Sequence, residues 1–550
     1  MRQDKLFISV LLFFIYGQFI SAQDMMQKIM SGMPQPPEEV RSDNIHPEAK
    51  LLYPGLFDHS APYFEIFSNE SQMFAGTQNG NLYFRNQKSE EYIKSIEPEQ
   101  GWQWHIDNAM WAPNGKYLIA KQINSNNVPK IKLTHSSPNE VSYKTYSRAG
   151  ETIPTHQFYI IDSETWEMVA VQHNPKFPYI HVLEWHSNNS NLFLIESTRL
   201  MKEVKLRNVD IHTGESTVVL QESSDTYLIG LNLLQGNSRR LIDQGIATFL
   251  HDREQFIWLS ERSGFYQMYL YDYEGNLIRK LTNGIFERKV NIDLENNWLY
   301  YLAYSDSSKP YALQAYRTSL KTNNIEKISD AENILDAFVT EKNDSLLVLR
   351  SGLPALMQME AYSMDGTHLG TTWKGDVSFL KSGYFNVEYS KVLDADNKNL
   401  LETLILKPRA MDPKKKYPIV EYIYGGNFTN VVIRDLFSPV LWQMQELANQ
   451  GFIVIFVDGR GTPKRGKAFR DFSYGRFGLV EIQDHVAAIQ QIAKERSYMD
   501  TDKIGIMGHS WGGHFALRAL LEAPDFYKIG HISSASFDPI DFRVAIEPFM

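Results

Sequence analysis

The stretch from Asp502 to Leu521 places a short strand, a sharp turn and a helix in immediate succession. An apolar run, Ile504–Met507, leads into Gly508-His-Ser510-Trp-Gly512, and the residues beyond it carry apolar side chains at helical spacing. Glycines two positions before and after a serine let a strand and a helix approach each other without a Cβ clash. The pattern therefore predicts a nucleophile elbow, in which the Ser510 hydroxyl projects alone above a sheet.

The length and charge of the chain limit what surrounds this elbow. A chain of 550 residues is too long for one ordinary core, so we expect two domains. The formal net charge of -10 and the lack of a basic stripe argue against a nucleic-acid partner. No cofactor or metal is expected for the chemistry of such a serine.

The N-terminus has the pattern of a secretory signal peptide. A basic start is followed by an apolar run from Leu6 to Ile20 and by the small residue Ala22, so residues 1–22 are predicted to be removed. A membrane anchor is the alternative, although the run is short for a span and contains Gly17 and Gln18. No later segment is long enough to cross a bilayer. The chain contains no cysteine, which fits a periplasmic or secreted bacterial protein that uses no disulfides.

Residues 47–375, which follow a short segment at 23–46, alternate short apolar or aromatic strands with polar turns. Turn signals recur at 68–71, 112–115, 186–189, 251–254, 295–297 and 341–344, and the last spacings lie in the forties, the period of a propeller blade. We therefore expect a β-propeller of seven or eight blades. In residues 376–550, strands alternate with helices, which predicts a doubly wound sheet whose functional groups lie at the carboxyl ends of its strands.

Four motifs in this second part carry a family resemblance: Tyr422-Ile-Tyr-Gly-Gly426, Asp458-Gly-Arg-Gly461, Gly478-Leu-Val-Glu-Ile-Gln-Asp484 and Gly508-His-Ser-Trp-Gly-Gly513. Together with the preceding propeller they resemble the prolyl oligopeptidase family, and the blade at 260–272 is similar to its dipeptidyl peptidase IV branch. The resemblance implies an α/β-hydrolase domain, peptide substrates and an exported serine peptidase. A homodimer is an expected assembly of a longer form.

Carried over from the family, Ser510 would be the nucleophile, and the Trp511 backbone N–H and the Tyr424 hydroxyl would be the oxyanion donors. Two fixed donors would stabilise the charge that develops on the carbonyl oxygen of the substrate. Tyr422 is the competing donor, because it lies two positions earlier and faces the same side of a strand.

Two departures from the family concern the substrate site. The glutamate pair that holds the substrate amino terminus is absent from the corresponding stretch, residues 101–108, and Glu90-Glu91 is interpreted as a solvated turn. The family lines a proline pocket with tryptophan and tyrosine, whereas only Phe537, Phe542 and Phe549 are available here. Proline preference is therefore not predicted.

The third departure concerns the catalytic acid and base. The two crossover units that carry them need roughly 60 residues, and only 40 residues follow Ser510. Asp538 and Asp541 come too early for the acid, and His509, His514 and His531 are local to the elbow or the next strand. We expect a hydrolase domain that is truncated after the elbow, so that the 550-residue chain itself is inactive. The alternatives are a non-catalytic propeller protein with a remnant hydrolase domain, and an esterase.

Overall fold

A computed structural model describes residues 65–549, apart from 88–91, 135–140, 229–245, 330, 341, 354–355, 379, 381–382, 413, 437 and 542–543. The predicted signal peptide, the segment at 23–46, Glu90-Glu91 and Phe542 lie outside the described residues. Among the residues that are described, no helix has both the length and the apolar character that a bilayer crossing requires.

Residues 65–374 form six four-stranded antiparallel sheets. Their strands are β1 (Glu65–Ser68), β2 (Met73–Gln78), β3 (Asn81–Asn86) and β4 (Tyr92–Ile96); β5 (Gln103–Trp111), β6 (Tyr117–Asn124), β9 (Thr155–Asp162) and β10 (Met168–Ala170); β11 (Tyr179–Trp185), β12 (Asn191–Ser197), β13 (Glu203–Asp210) and β14 (Ser216–Ser223); β15 (Ala247–Leu250), β16 (Gln255–Ser260), β17 (Gln267–Asp272) and β18 (Leu277–Lys280); β19 (Ile285–Asp293), β20 (Trp298–Tyr304), β21 (Leu313–Ser319) and β22 (Ile325–Lys327); β23 (Ile334–Val339), β24 (Ser345–Gly352), β25 (Leu356–Ser363) and β26 (His368–Lys374). A separate two-stranded sheet pairs β7 (Lys130–Thr134) with β8 (Val141–Thr145).

These sheets are the blades of the predicted β-propeller. Each middle strand packs large apolar side chains against its neighbours, as in β16, where Phe256 and Trp258 are fully buried. Several predicted turns place a residue in the left-handed region, including Asn189, Asn297 and Asn343, which tolerate that conformation better than bulkier residues. The described residues contain six blades, and the expected total of seven or eight stays a prediction.

The second part of the chain is a six-stranded mixed sheet with helices. Its strands are β27 (Val387–Leu393), β28 (Leu400–Leu406), β29 (Tyr417–Tyr422), β30 (Ile453–Asp458), β31 (Met499–His509) and β32 (Ile529–Ser533). The strand order is β27-β28-β30-β29-β31-β32, and all pairs from β30 onward are parallel. The helices are α1 (Pro439–Asn449), α2 (Lys467–Arg470), α3 (Val480–Lys494) and α4 (Trp511–Glu522).

This arrangement confirms the predicted fold class, a β-propeller followed by an α/β-hydrolase domain. The main differences from the sequence interpretation are at element ends. Strand β29 ends at Tyr422 instead of Tyr424, and β31 begins at Met499, five residues before the apolar run that identified it. After the buried Met499, residues 500–503 of β31 are polar and partly or fully exposed, so hydrophobicity alone did not reveal them.

The chain divides into two compact units. The larger unit contains residues 262–267 and 281–537, and thus the last two blades and the whole six-stranded sheet. In its core, Met359 and Trp373 of the last blade pack in one cluster with Leu404, Trp442 and Phe456. The predicted domain boundary at 375/376 falls between β26 and β27 and stays a prediction.

The other unit contains the described residues up to Glu261 together with 268–280 and 538–549. Within it, the buried carboxylate of Glu547 accepts hydrogen bonds from the Arg199 guanidinium, one of them with an Nε···Oε2 distance of 2.6 Å, and from the Gly150 N–H. The Phe549 ring packs edge-on against Tyr227, with ring centroids 4.8 Å apart. A segment late in the chain is thereby fixed to the early blades.

Candidate active site

Ser510 occupies a strained turn between β31 and α4. Its backbone has φ 56° and ψ −120°, a conformation that non-glycine residues rarely adopt. The Ser510 N–H donates to the Ser533 carbonyl of the neighbouring strand at 2.9 Å, which fixes the turn against β32. This is the geometry that the G-x-S-x-G pattern predicts for a nucleophile elbow.

The glycines around Ser510 are required by close backbone contacts. A Cβ atom at Gly508 would lie 2.0 Å from the Gly512 carbonyl oxygen. A Cβ atom at Gly512 would lie 2.3 Å from the Ile423 carbonyl oxygen and 2.9 Å from the Tyr424 Cα atom. The first turn of α4 therefore touches the backbone at the end of β29, so Ser510 and Tyr424 lie at the same edge of the sheet.

The register of β29 and β31 places Tyr424 just beyond the last paired residues. Tyr422 is opposite Met507, and the Ile423 N–H donates to the Met507 carbonyl at 2.9 Å. The Tyr424 side chain is half-buried, whereas Tyr422 is 9% exposed, with its ring 5.5 Å from that of Phe456. Burial raises the pKa of Tyr422. The structure thus separates the two candidates, and Tyr424 is the one outside the core.

Trp511 is the first residue of α4, where a backbone N–H is not used by the helix's own hydrogen-bond ladder. Its buried ring stacks on His514, with centroids 5.2 Å apart. Gly426, which has φ 69°, lies against this ring, because an added Cβ would be 2.6 Å from Trp511 Nε1. The segment after Tyr424 therefore packs directly against the first residue of α4.

Two of the three histidines near the elbow, His509 and His514, have other partners. His509 Nδ1 lies 3.0 Å from Ser533 Oγ, and His514 Nδ1 lies 3.1 Å from the Ser536 carbonyl oxygen. His531 is half-buried in β32, and its pKa is lowered by burial and by the proximity of His509. Among the described residues, no side chain hydrogen-bonds to Ser510 Oγ. The structure therefore does not bring a general base to the serine.

The two aspartates considered as the catalytic acid also belong to short turns of the chain rather than to the elbow. Asp538 Oδ1 accepts the Ile540 N–H at 3.0 Å, and Asp541 ends a short 3-10 helix, Pro539–Asp541. Within the part of the chain that the structure describes, no group of three histidine, aspartate or glutamate side chains is arranged to hold a metal ion.

Sequence reasoning missed a buried polar network behind the elbow. Glu421 is fully buried in β29, and its carboxylate contacts His485 Nδ1 and accepts the Tyr527 hydroxyl at 2.6 Å. Burial alone would lower the pKa of His485, but the nearby carboxylates of Glu421, Asp484 and Glu481 together outweigh that effect and raise it. In the sequence, the only sign of this network was Glu421, a single charged residue within the otherwise uncharged strand β29.

The Asp458-Gly-Arg-Gly461 motif holds the loop that follows Tyr424. Asp458 accepts the backbone N–H groups of Val431 at 2.7 Å and Val432 at 3.2 Å, and burial raises its pKa to about 6. The Arg460 guanidinium donates to Asp484, with an Nε···Oδ2 distance of 2.9 Å. These motif residues contact the protein itself, so in the structure their role is to fix the carboxyl ends of the strands.

Comparisons with known proteins match both parts of the chain, in order. Residues 105–352 match the family model of the dipeptidyl peptidase IV (DPP IV) N-terminal region, and residues 438–547 match that of the prolyl oligopeptidase family. This chain belongs to the prolyl oligopeptidase family, in its dipeptidyl peptidase IV branch.

Curated relatives and solved structures agree with this family assignment. The chain is 24% identical over 449 residues to the probable dipeptidyl-aminopeptidase B of Botryotinia fuckeliana, covering 74% of this chain and 47% of the relative. It is 24% identical over 469 residues to dipeptidyl peptidase 4 of Trichophyton rubrum, covering 79% and 57%. The chain thus spans about half the length of the curated relatives it matches. The crystal structure of Porphyromonas gingivalis dipeptidyl peptidase 4 shares the fold, with a TM-score of 0.75 at 21% identity over 90% of this chain and 71% of that one.

The stretch to which the family resemblance assigned the substrate amino terminus, residues 101–108, contains no glutamate pair and includes the start of β5. Asp107 is the acidic residue in β5, and its carboxylate is ion-paired with the buried Lys121 ammonium at 2.6 Å. The positive charge of Lys121 lowers the pKa of Asp107 to about 2 against the opposing effect of burial. This carboxylate is therefore already neutralised by the protein.

Of the phenylalanines considered for the proline pocket, Phe537 is 72% exposed and Phe549 is 3% exposed.

Replacement of Gly512 by alanine tests the backbone contact that positions Ser510. We expect Gly512→Ala to lower the free energy of unfolding by about 1–3 kcal/mol, because its Cβ would meet backbone atoms that cannot rotate away. Gly530→Ala is the matched control, because its Cβ would meet only side-chain atoms of Leu520, which can move, and no backbone atom. Chemical denaturation of both variants provides the measurement. Equal losses in the two variants would contradict a special role for the contact at Gly512.

Proposed function

We propose that this chain carries the nucleophile and the oxyanion site of an exported serine peptidase that acts on peptides through an acyl-enzyme on Ser510. The observation that supports this proposal most directly is the strained backbone of Ser510 at the strand-to-helix turn. A strained conformation persists only where the surrounding structure enforces it, and such strain is concentrated at functional sites. Family membership and the names of the relatives support the choice of peptide substrates.

In the proposed reaction, Ser510 Oγ attacks the scissile carbonyl carbon and its proton passes to a general base. The carbonyl oxygen becomes negatively charged, and the Trp511 N–H and the Tyr424 hydroxyl stabilise it. Collapse of this intermediate breaks the C–N bond, and the base returns the proton to the leaving amine. Water then hydrolyses the acyl-enzyme by the same steps. Ser510 and Tyr424 lie at one edge of the sheet, as this mechanism needs.

The general base and its acidic partner are proposed to come from a part of the protein that continues after Met550. Two observations support this: His509, His514 and His531 have other local environments, and the curated relatives are about twice as long as the matched region. A serine without a base is a weak nucleophile at neutral pH. The 550-residue chain alone is therefore proposed to be inactive.

The first prediction concerns the nucleophile. In the complete natural protein, Ser510→Ala should abolish both peptide hydrolysis and labelling by a fluorophosphonate probe, because only the attacking oxygen is lost. Ser534→Ala is the matched control, since Ser534 is an exposed serine close in sequence, and it should leave both readouts unchanged. Labelling that survives Ser510→Ala would refute the assignment of the nucleophile, and hydrolysis of peptides by the 550-residue chain alone would refute the proposed origin of the general base.

The second prediction distinguishes the two tyrosines. Tyr424→Phe in the complete protein should lower kcat by roughly 10- to 1,000-fold with little change in KM, because the lost donor acts on charge that exists only in the transition state. Tyr422→Phe should leave kcat nearly unchanged, since that side chain belongs to the core. Steady-state kinetics on both variants gives the answer, and the reverse pattern would show that Tyr422 is the donor.

The third prediction concerns export, which the N-terminal pattern alone supports. If residues 1–22 are a cleaved signal peptide, the mature protein begins at Gln23 and is recovered from the periplasm or the medium of its bacterial host. N-terminal sequencing after cell fractionation checks both points. An intact Met1 on a membrane-bound product would instead support the anchor interpretation.

A further inference from the structure

A cavity lies within the larger unit. It has a volume of about 840 Å³, within the ~300–1,000 Å³ that is usual for ligand pockets. Its walls come from the last two blades, from β27 and β28, from the segment at 430–435 and from Lys464. Ser510, Tyr424 and Trp511 are not among the residues that line it. The cavity is therefore separate from the elbow.

The charges on the cavity wall balance. Five acidic and five basic side chains line it. Glu402 binds both Lys391, at 2.9 Å, and Arg434, at 2.8 Å. Lys464 lies 3.4 Å from Glu287 and donates to the Tyr304 hydroxyl at 2.8 Å. A ligand with net charge would have to disrupt such pairs, so the wall favours a ligand that is polar but has no net charge.

Two buried carbonyl oxygens on this wall have no hydrogen-bond donor among the described residues. They are Gln314 Oε1 and Asn430 Oδ1. Gln314 is only 8% exposed, so leaving its oxygen without a hydrogen bond is unfavourable. The orientation of the Asn430 amide is fixed, because its Nδ2 donates to the Tyr311 hydroxyl at 3.2 Å and to the Pro463 carbonyl at 3.3 Å. A ligand that supplies hydrogen-bond donors would satisfy both oxygens.

Polypeptide backbone fits these requirements better than carbohydrate. Each peptide unit is neutral and carries one N–H donor, which matches the unsatisfied oxygens of Gln314 and Asn430. Sugars also supply donors, but their sites generally present an open aromatic face. Here the Arg434 guanidinium lies over the Tyr389 ring at 4.4 Å, and the Lys464 ammonium lies 5.0 Å from the centre of the Tyr304 ring. These rings are already covered on one face by cations.

We propose that this cavity is a second peptide-binding site, which takes a short segment of uncharged polypeptide and hydrogen-bonds its N–H groups to Gln314 and Asn430. The site binds peptide without cleaving it, since none of the serines among the described residues of its lining has the backbone geometry of an elbow. This inference does not depend on the catalytic role of Ser510, because it concerns binding at a different part of the larger unit.

Isothermal titration calorimetry on the complete protein with Ser510→Ala tests the proposal without turnover of the ligand. The probe is tri-alanine that is acetylated at its N-terminus and amidated at its C-terminus. It should bind with at least tenfold higher affinity than the same peptide with only a free amine or only a free carboxylate, and maltotriose should not bind. Equal binding of the charged peptides, binding of maltotriose alone, or no binding of the probe would overturn the proposal.

Variants locate the binding within the molecule. Gln314→Leu should weaken binding of the blocked peptide at least tenfold, because it removes an acceptor. Ser308→Trp should do the same by filling the cavity from an exposed position. Gln221→Leu, at an exposed glutamine of another blade, is the control and should change nothing. If thermal unfolding shows that Gln314→Leu does not fold, Ser308→Trp decides. Binding that persists in the folded variants would place the peptide elsewhere, for example at the elbow, and refute the proposal.

Discussion

The contact between the backbone of α4 and the end of β29 is the constraint on which the candidate site depends. Gly512 lies so close to Ile423 and Tyr424 that no side chain fits between them. The same turn is held on its other side, where the Ser510 N–H meets the Ser533 carbonyl of β32. The serine is thus placed by main-chain atoms of three adjacent strands. Main-chain contacts have few alternative arrangements, so the position of Ser510 is insensitive to side-chain rotations.

Buried charged side chains stabilise this edge of the sheet by connecting its strands to α3 and to neighbouring loops. Glu421 with His485 and Tyr527 connects β29 to α3 and to the chain before β32, and Arg460 with Asp484 connects the end of β30 to α3. Removing one partner of such a group leaves an uncompensated buried charge, which is strongly destabilising. Asp458 extends the support to the loop after Tyr424 through Val431 and Val432. The network therefore joins the strand and the loop on either side of Tyr424 to α3 and to the segment between α4 and β32.

Much of this architecture could be predicted from the sequence. The elbow, helix α3 and the run of antiparallel strands follow from local periodicity, from glycine spacing and from turn residues such as Asn297 and Asn343. The choice between Tyr422 and Tyr424 could not be made locally, because it depends on which tyrosine packs against Phe456 of another strand. The cavity between the last blades and β27 depends in the same way on contacts that are distant in sequence. The hydrogen-bond partners of Glu421 and Glu547 could not be predicted either, because they lie far from these residues in the sequence.

The bond between Arg199 and Glu547 has a consequence for synthesis. Its partners are 348 positions apart, yet both belong to the unit that contains the first blades. At translation rates of about 5–20 residues per second, roughly twenty to seventy seconds pass between the synthesis of Arg199 and that of Glu547. The early blades must stay soluble over this interval without a contact that completes their unit. The late segment is therefore part of the folding unit of the early blades, although the two are synthesised far apart in time.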